Sequence, residues 1–307
     1  MPSPVISIVC ATYNASHLLR FAIRSVLANR FDDWEMIIVG DCCTDDTKAV
    51  VKSFNDSRIR FVNLDSNSGQ QAKPNNVGVG LAQGTYLSFL NQDDMYLPNH
   101  LEHMLELIQR TRTDIVCARY ARISEIAQDE SKLRINAING GGVSSGQKFQ
   151  PQKWHVASSW FMDLETAIQY GPWRLEHETY VTPSQDWLFR AWKRGASVNY
   201  ASRLTLLTLP SGARLSSYAK RESTEHEAAF NAFVKSSSDL SVLMNAIEEG
   251  ERKKRESLRE RSRRIYEIFV GVPLTAMCIH PNTLGMILKF GRKGGMVKFW
   301  QKKTGSH

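Results

Sequence analysis

Two adjacent carboxylates follow directly on an apolar run. Residues 86–90 read Tyr-Leu-Ser-Phe-Leu, and Asn91, Gln92, Asp93 and Asp94 come next. Neighbouring carboxylates repel unless a cation sits beside them. An oxygen-only ligand set favours Mg²⁺ or Mn²⁺, and those ions take phosphate oxygens as further ligands. The pair therefore points to a nucleotide-diphosphate site. The plain alternative is a solvated turn, because Asn and Asp are ordinary turn residues.

The elements around the pair favour the first reading. Residues 5–11 are a continuous apolar strand. A helix follows from Ser16, with apolar positions 18, 19, 22, 23, 26 and 27 on one face. Met36 to Val39 is a second strand. Thr44 is placed to cap the next helix, with Asp45 and Asp46 in its first turn, where negative charge is favoured. Strands at 58–64, 85–90 and 114–119 alternate with helices at 71–81 and 98–110. Gly78 and Gly80 weaken the helix at 71–81. Continuous apolar strands alternating with helices predict an α/β fold whose mainly parallel sheet is covered on both faces. Such sheets bind ligands beyond the carboxyl ends of their strands. Thr12, Tyr13 and Asn14, then Gly40 and Asp41, then Gln92, Asp93 and Asp94 all lie at such ends. Past residue 120 the pattern loosens, until residues 184–192 read as an amphipathic helix with Asp186 in its first turn.

The chain has 307 residues and a formal charge of +8. Residues 250–307 hold 14 Lys and Arg against 4 Asp and Glu, whereas residues 1–249 are close to neutral. The basic character therefore belongs to the last fifth of the chain. Five cysteines at 10, 42, 43, 117 and 278 form no zinc or disulfide spacing, which favours a reducing compartment. No secretory leader is expected. No stretch approaches the ~18 apolar residues of a membrane span.

At this point the chain resembles the family 2 glycosyltransferases of the GT-A fold. The resemblance rests on residues 5–14, on residues 37–47, on Asn75 to Gly78 with Gly84 to Leu90, and on Asn91 to Asp94. It covers residues 4–120 and thins afterwards to Ser184, Gln185, Asp186 and Trp187. It implies a GT-A (Rossmann-like) twisted sheet flanked by helices. The catalytic domain would span 1–220, with a nucleotide-sugar half (1–120) and an acceptor half (121–220). A helical, basic extension would occupy 221–307. It further implies inverting transfer from a nucleotide-diphosphate sugar, UDP-sugar favoured, to a glycan or lipid-linked acceptor in surface polysaccharide synthesis.

Residue by residue, the resemblance implies that Thr12, Tyr13, Asn14, Asp41, Asn76 and Asp93 bind the donor. Asp94, with Asp93, would hold Mn²⁺ or Mg²⁺, and Asp186 would be the general base. Arg214, Ser216 and Trp187 are candidate phosphate or acceptor contacts. Gly40, Cys42, Cys43, Asn75 and Asn91 depart from the family's usual residues.

Three other readings compete. A dinucleotide-binding dehydrogenase needs Gly-x-Gly-x-x-Gly after its first strand, and this chain has none there. A sugar-nucleotide binder without catalysis would keep Asp41 and not need Asp186. A scaffold docked to membrane or nucleic acid would work through the basic tail. Aromatic and aliphatic residues among the lysines of 286–303 favour an anionic membrane surface over nucleic acid. The same residues suit packing on the catalytic domain or on a second copy in a homo-oligomer. The expected location is the cytoplasm, peripheral on the inner face of the plasma membrane.

Overall fold

In a computed structural model, the structure describes residues 3–129, 132–140, 149–209, 221–236, 240–257, 262–263 and 265–304. A nine-stranded sheet forms its centre. Strands β1 (Ile6–Thr12), β2 (Trp34–Gly40), β3 (Ile59–Asn63) and β4 (Tyr86–Phe89) are all parallel, in the order β3-β2-β1-β4. β1, β2 and β4 are buried almost throughout, which matches their mainly apolar runs, whereas β3 is a half-exposed edge strand. The sheet then turns mixed. β8 (Trp160–Asp163) lies antiparallel to both β4 and β6 (Ile115–Asp129). β9 (Val198–Thr208) runs parallel to β6, while β5 (Asp94–Tyr96) is antiparallel to β9. β7 (Lys132–Gly140) pairs antiparallel with β6. The sheet is thus wholly parallel in its first half and mixed in its second, where β6 and β9 are again parallel.

Helices α1 (Ser16–Leu27), α2 (Thr47–Ser53) and α3 (Ala72–Leu81) cover the parallel half, while α4 (His100–Thr111) packs on β6, β8 and β9. Helices α5 (Leu164–Tyr170) and α6 (Pro183–Lys193) belong to the second half. Two sequence expectations shift in detail. Ser16 is the first helical residue rather than a cap, and its hydroxyl donates to Asp46 at 2.6 Å. Thr44 lies three residues before α2 and caps nothing; its hydroxyl accepts from the Asn14 amide at 3.2 Å.

The core runs on past residue 220. Helix α7 (Thr224–Ala229) continues into a π-helical turn, Phe230–Lys235, and α8 (Ser241–Glu256) follows. Phe230, Phe233, Val234, Leu243 and Ile247 are buried with Phe21, Ile123 and Leu207. Residues 224–236 and 240–247 therefore pack in one core with α1, β6 and β9. Beyond them lie short helices at Val272–Ala276, Thr283–Phe290 and Gly295–Thr304. Among the described residues no helix is long and apolar enough to cross a membrane.

Candidate functional site

The ends of β1, β2 and β4 open onto one cleft of about 720 Å³. That volume suits a small-molecule or cofactor site. Ala11, Thr12 and Tyr13 come from the end of β1, Asp41 from β2, and Asn91 to Asp94 from the turn after β4. Gln92 ties two of these ends together. Its Oε1 accepts from the Thr12 hydroxyl at 2.7 Å and from the Tyr13 N–H at 2.9 Å. Asp41 is buried. Its carboxylate accepts from the Ser68 N–H and hydroxyl, both at 2.9 Å, and from the Gly69 N–H at 2.9 Å. Asp41 thus holds the 67–71 loop, which supplies Asn67, Gly69, Gln70 and Gln71 to the cleft wall.

Asn14 supports this floor from behind. It sits at φ 44, a left-handed conformation that Asn tolerates better than most residues. Its Oδ1 accepts from the Thr44 and Asp45 N–H groups at 2.8 and 3.2 Å. The expected donor contact is therefore spent on the loop between β2 and α2. Gly40 serves the same loop. A Cβ there would lie 2.4 Å from the Asn63 Oδ1, and that Asn63 side chain holds the backbone of Cys43.

The two carboxylates of the opening motif separate. Asp93 is part-buried and lines the cleft. Asp94 starts β5, is buried, and its Oδ2 accepts from the Ser158 hydroxyl at 2.5 Å and the Asn91 amide at 2.8 Å. Burial first, and the Asp93 charge second, push its carboxyl well above the usual carboxylate range. Asn91 is explained by the same contact, because an Asp at 91 would face Asp94 with a second negative charge. An all-oxygen set of this kind fits a hard divalent cation. Among the described residues no three His, Cys, Asp or Glu side chains gather as a ready-made cage. The protein would therefore supply Asp93, backed by Asp94, and leave the other positions to phosphate and water.

Asp186 lies in the first turn of α6, one turn beyond Thr182, and Thr182 and Pro183 line the cleft. Its own carboxylate is not part of the lining. It accepts from Arg190 Nε at 2.7 Å and pairs with Arg174 at 3.5 Å. Asn76 is likewise spent elsewhere. Its amide exchanges two hydrogen bonds with the backbone of Trp173, at 2.9 and 2.8 Å. Trp187 corrects the sequence reading. It is buried against Trp160, and its indole N–H donates to the Gly171 carbonyl at 2.7 Å, so it cannot touch an acceptor. Arg214 and Ser216 lie outside the described residues.

The model of the family described as "Glycosyl transferase family 2" matches residues 7–162, half of the chain. The chain belongs to glycosyl transferase family 2. Among curated relatives, a putative teichuronic acid biosynthesis glycosyltransferase, TuaG of Bacillus subtilis, is 36% identical over 133 residues. That match covers 42% of this chain and 51% of TuaG. A putative colanic acid biosynthesis glycosyl transferase, WcaA of Escherichia coli, is 29% identical over 202 residues, 58% of this chain and 72% of WcaA. An Escherichia coli UDP-Glc:alpha-D-GlcNAc-diphosphoundecaprenol beta-1,3-glucosyltransferase, WfgD, is 29% identical over 40% of this chain and 49% of its own length. The chain thus spans about half the length of TuaG and of WfgD. Among solved structures, S. aureus TarS 1-349 in complex with UDP superposes with TM-score 0.57 at 14% identity. It covers 98% of this chain and 88% of its own. This likeness shows a shared GT-A fold.

Some residues of this family 2 cleft were not singled out in the sequence. Gln92 is legible as a polar residue at the end of β4, but nothing in the sequence marks it as the tie to Thr12 and Tyr13. Ser158 lies in the irregular stretch and carries no pattern. The far wall comes from the C-terminal helices through Met286, Lys289, Phe290, Met296 and Gln301. The Gln301 amide donates to the Gly69 carbonyl, and the Gly294 N–H donates to the Thr179 carbonyl at 3.0 Å. The interleaved Met, Phe and Lys of 286–303 signalled amphipathic helices, but no spacing says that one face closes a cleft.

Proposed function

We propose that the protein transfers a sugar from a nucleotide-diphosphate donor, a UDP-sugar by preference, to a hydroxyl of a glycan or lipid-linked glycan. The observation that carries this reading is the convergence of three strand ends on one cleft, with Asp41 on one side and Asp93 and Asp94 on another. Family membership supports the reaction class. The UDP and UDP-GlcNAc complexes of TarS support the donor class. The names of TuaG, WcaA and WfgD support a place in surface polysaccharide assembly and, for WfgD, a lipid diphosphate acceptor.

The reaction would proceed with inversion. The acceptor oxygen attacks the anomeric carbon as the bond to the diphosphate oxygen breaks, and the electron pair leaves with the nucleoside diphosphate. Mn²⁺ or Mg²⁺, when bound, offsets the charge that develops on the diphosphate. Thr12, Tyr13 and Asp41 orient the nucleoside at the ends of β1 and β2, and Asp93 faces the diphosphate. A base must take the acceptor proton. Among the described residues the only acidic side chains lining the cleft are Asp41, Asp93 and Asp94. Asp186 is an acidic residue one helical turn from the lining, so it is the proposed base. Its pairing with the half-exposed Arg174 would have to yield when acceptor enters.

That pairing also favours a second reading, a sugar-nucleotide binder in which Asp186 only positions α6. Asp186→Asn separates the two. Under the transferase reading, the variant keeps UDP binding by thermal shift and loses at least about a hundredfold in turnover. Unchanged turnover removes Asp186 as the base. A panel of UDP-, GDP- and dTDP-sugars, scored by metal-dependent hydrolysis, tests the donor; hydrolysis of none of them would leave the binder.

A further inference from the structure

The C-terminal helices present an apolar face to solvent. Ile265, Ile268, Phe269 and Val272 lie on one short helical run whose middle, Glu267–Gly271, is π-helical. They are 60%, 64%, 74% and 66% exposed. The same helical run is anchored from its other side by Tyr266. The Tyr266 hydroxyl donates to the Pro281 carbonyl at 3.1 Å and accepts from the Gly285 N–H at 3.3 Å, which fixes helix Thr283–Phe290 alongside. That second helix is two-faced. Met286 and Phe290 line the cleft, whereas Leu288 is 78% exposed. Two residues along a helix turn the side chain by about 200°, to the opposite side.

The chain that follows these apolar residues is cationic. Lys289, Arg292, Lys293 and Lys298 are exposed. From residue 265 to the end of the chain there are six Lys and Arg and one acidic residue, Glu267. Glu267 is already paired with Arg263 at 3.0 Å. Exposed apolar side chains on a helical run, with a cationic border along the chain, suit a segment lying in the headgroup plane of an anionic bilayer. A second copy fits less well, since a two-fold contact would bring the two cationic borders together.

We propose that this face docks on an anionic lipid bilayer, with Ile268, Phe269, Val272 and Leu288 entering the acyl boundary and Arg292 and Lys298 meeting the headgroups. The docking is independent of the proposed reaction. Its consequence is positional: the helix that inserts Leu288 also walls the cleft, so the cleft lies beside the membrane surface.

The test is co-sedimentation of the full chain with phosphatidylcholine vesicles with and without phosphatidylglycerol. Binding is expected only with the anionic lipid, and is expected to fall several-fold in high salt. Phe269→Asp with Val272→Asp should lower the partition by about tenfold or more. Arg292→Glu with Lys298→Glu should lower it without touching the apolar face. Cooperative melting of each variant near the wild-type temperature shows that loss of binding is not loss of fold. Three results overturn the proposal: no sedimentation with anionic vesicles, equal binding to both lipids, or full binding by both variants. A concentration-dependent dimer that Phe269→Asp disperses, without vesicle binding, assigns the face to self-association instead. The assay reads partition and not turnover, so its failure leaves the donor assignment standing.

Discussion

Asp93 and Asp94 are neighbours in sequence and opposites in environment. Both border the cleft, but Asp93 is only part-buried, while Asp94 is buried and bonded to Ser158 and Asn91. Substitution should separate them. Asp93→Ala removes a group that faces ligand and leaves the interior intact, so Mn²⁺-dependent UDP binding is expected to disappear with the melting temperature nearly unchanged. Asp94→Ala strands the buried Ser158 hydroxyl, which costs about 1–3 kcal/mol, and also frees the part-buried Asn91 amide. Its melting temperature should fall by several degrees, in metal or without it. Differential scanning fluorimetry with and without Mn²⁺ and UDP measures both effects. An Asp94→Ala protein as stable as wild type would show that the Ser158 and Asn91 bonds do not hold β5.

At the scale of elements, α3 carries a sharper prediction than its composition suggests. Two glycines weaken the helix by propensity alone, yet their surroundings differ. A Cβ at Gly78 would sit 2.4 Å from Val9 Cγ1, on the face that α3 packs against β1. A Cβ at Gly80 meets nothing within 4 Å. Gly80→Ala should therefore stabilise by about 0.5–1 kcal/mol, the usual gain of Ala over Gly in a helix. Gly78→Ala should destabilise by about 1–3 kcal/mol, because overpacking outweighs that gain. Urea titration of the two variants decides it, and equal shifts of the same sign would refute the packing argument. The contrast also marks what the sequence could show. β1, β2 and β4 were legible because a strand buried on both faces must be apolar throughout, and the strand ends then placed Thr12, Asp41 and Asp93 in one crevice. The mixed half was not. β6 and β7 extend as a ribbon whose polar positions break the apolar signal. Asp186 was legible as a first-turn residue of α6, but its partner Arg174 sits on an irregular segment that no periodicity locates. Trp187 is a candidate contact in the sequence only through its place beside Asp186, and its burial against Trp160 is a packing fact that no pattern carries.

The whole molecule is a continuous core closed over by its own C-terminal segment, and three buried histidines mark the joins. His100 lies between α4 and β9, with its Nδ1 3.0 Å from the Thr205 hydroxyl. His155 is buried beside Tyr200 and Phe149. His280 sits under the C-terminal helices with its ring against Phe189 of α6. Burial lowers all three, His100 and His280 to about 3 and His155 to about 4. Below pH ~6.5 the unfolded chain takes up these protons and the folded chain does not, so stability is lost as pH falls from there toward the lowered values. Each histidine contributes about 1.4 kcal/mol per pH unit across that window. Asp94, raised rather than lowered, acts in the opposite direction, so the net slope is a balance between the two kinds of group. A difference isolates the histidine. His280→Gln should narrow the stability gap between pH 7 and pH 5.5 by about 1.4 kcal/mol relative to wild type, whatever it costs at pH 7. Urea unfolding of both proteins at the two pH values measures this. Because His280 underlies the helices that wall the cleft, acid should also release that wall ahead of the sheet. Hydrogen exchange at pH 5.5 should then show residues 283–304 losing protection before β1 and β2, and simultaneous loss would mean that the C-terminal wall and the central sheet unfold as one unit.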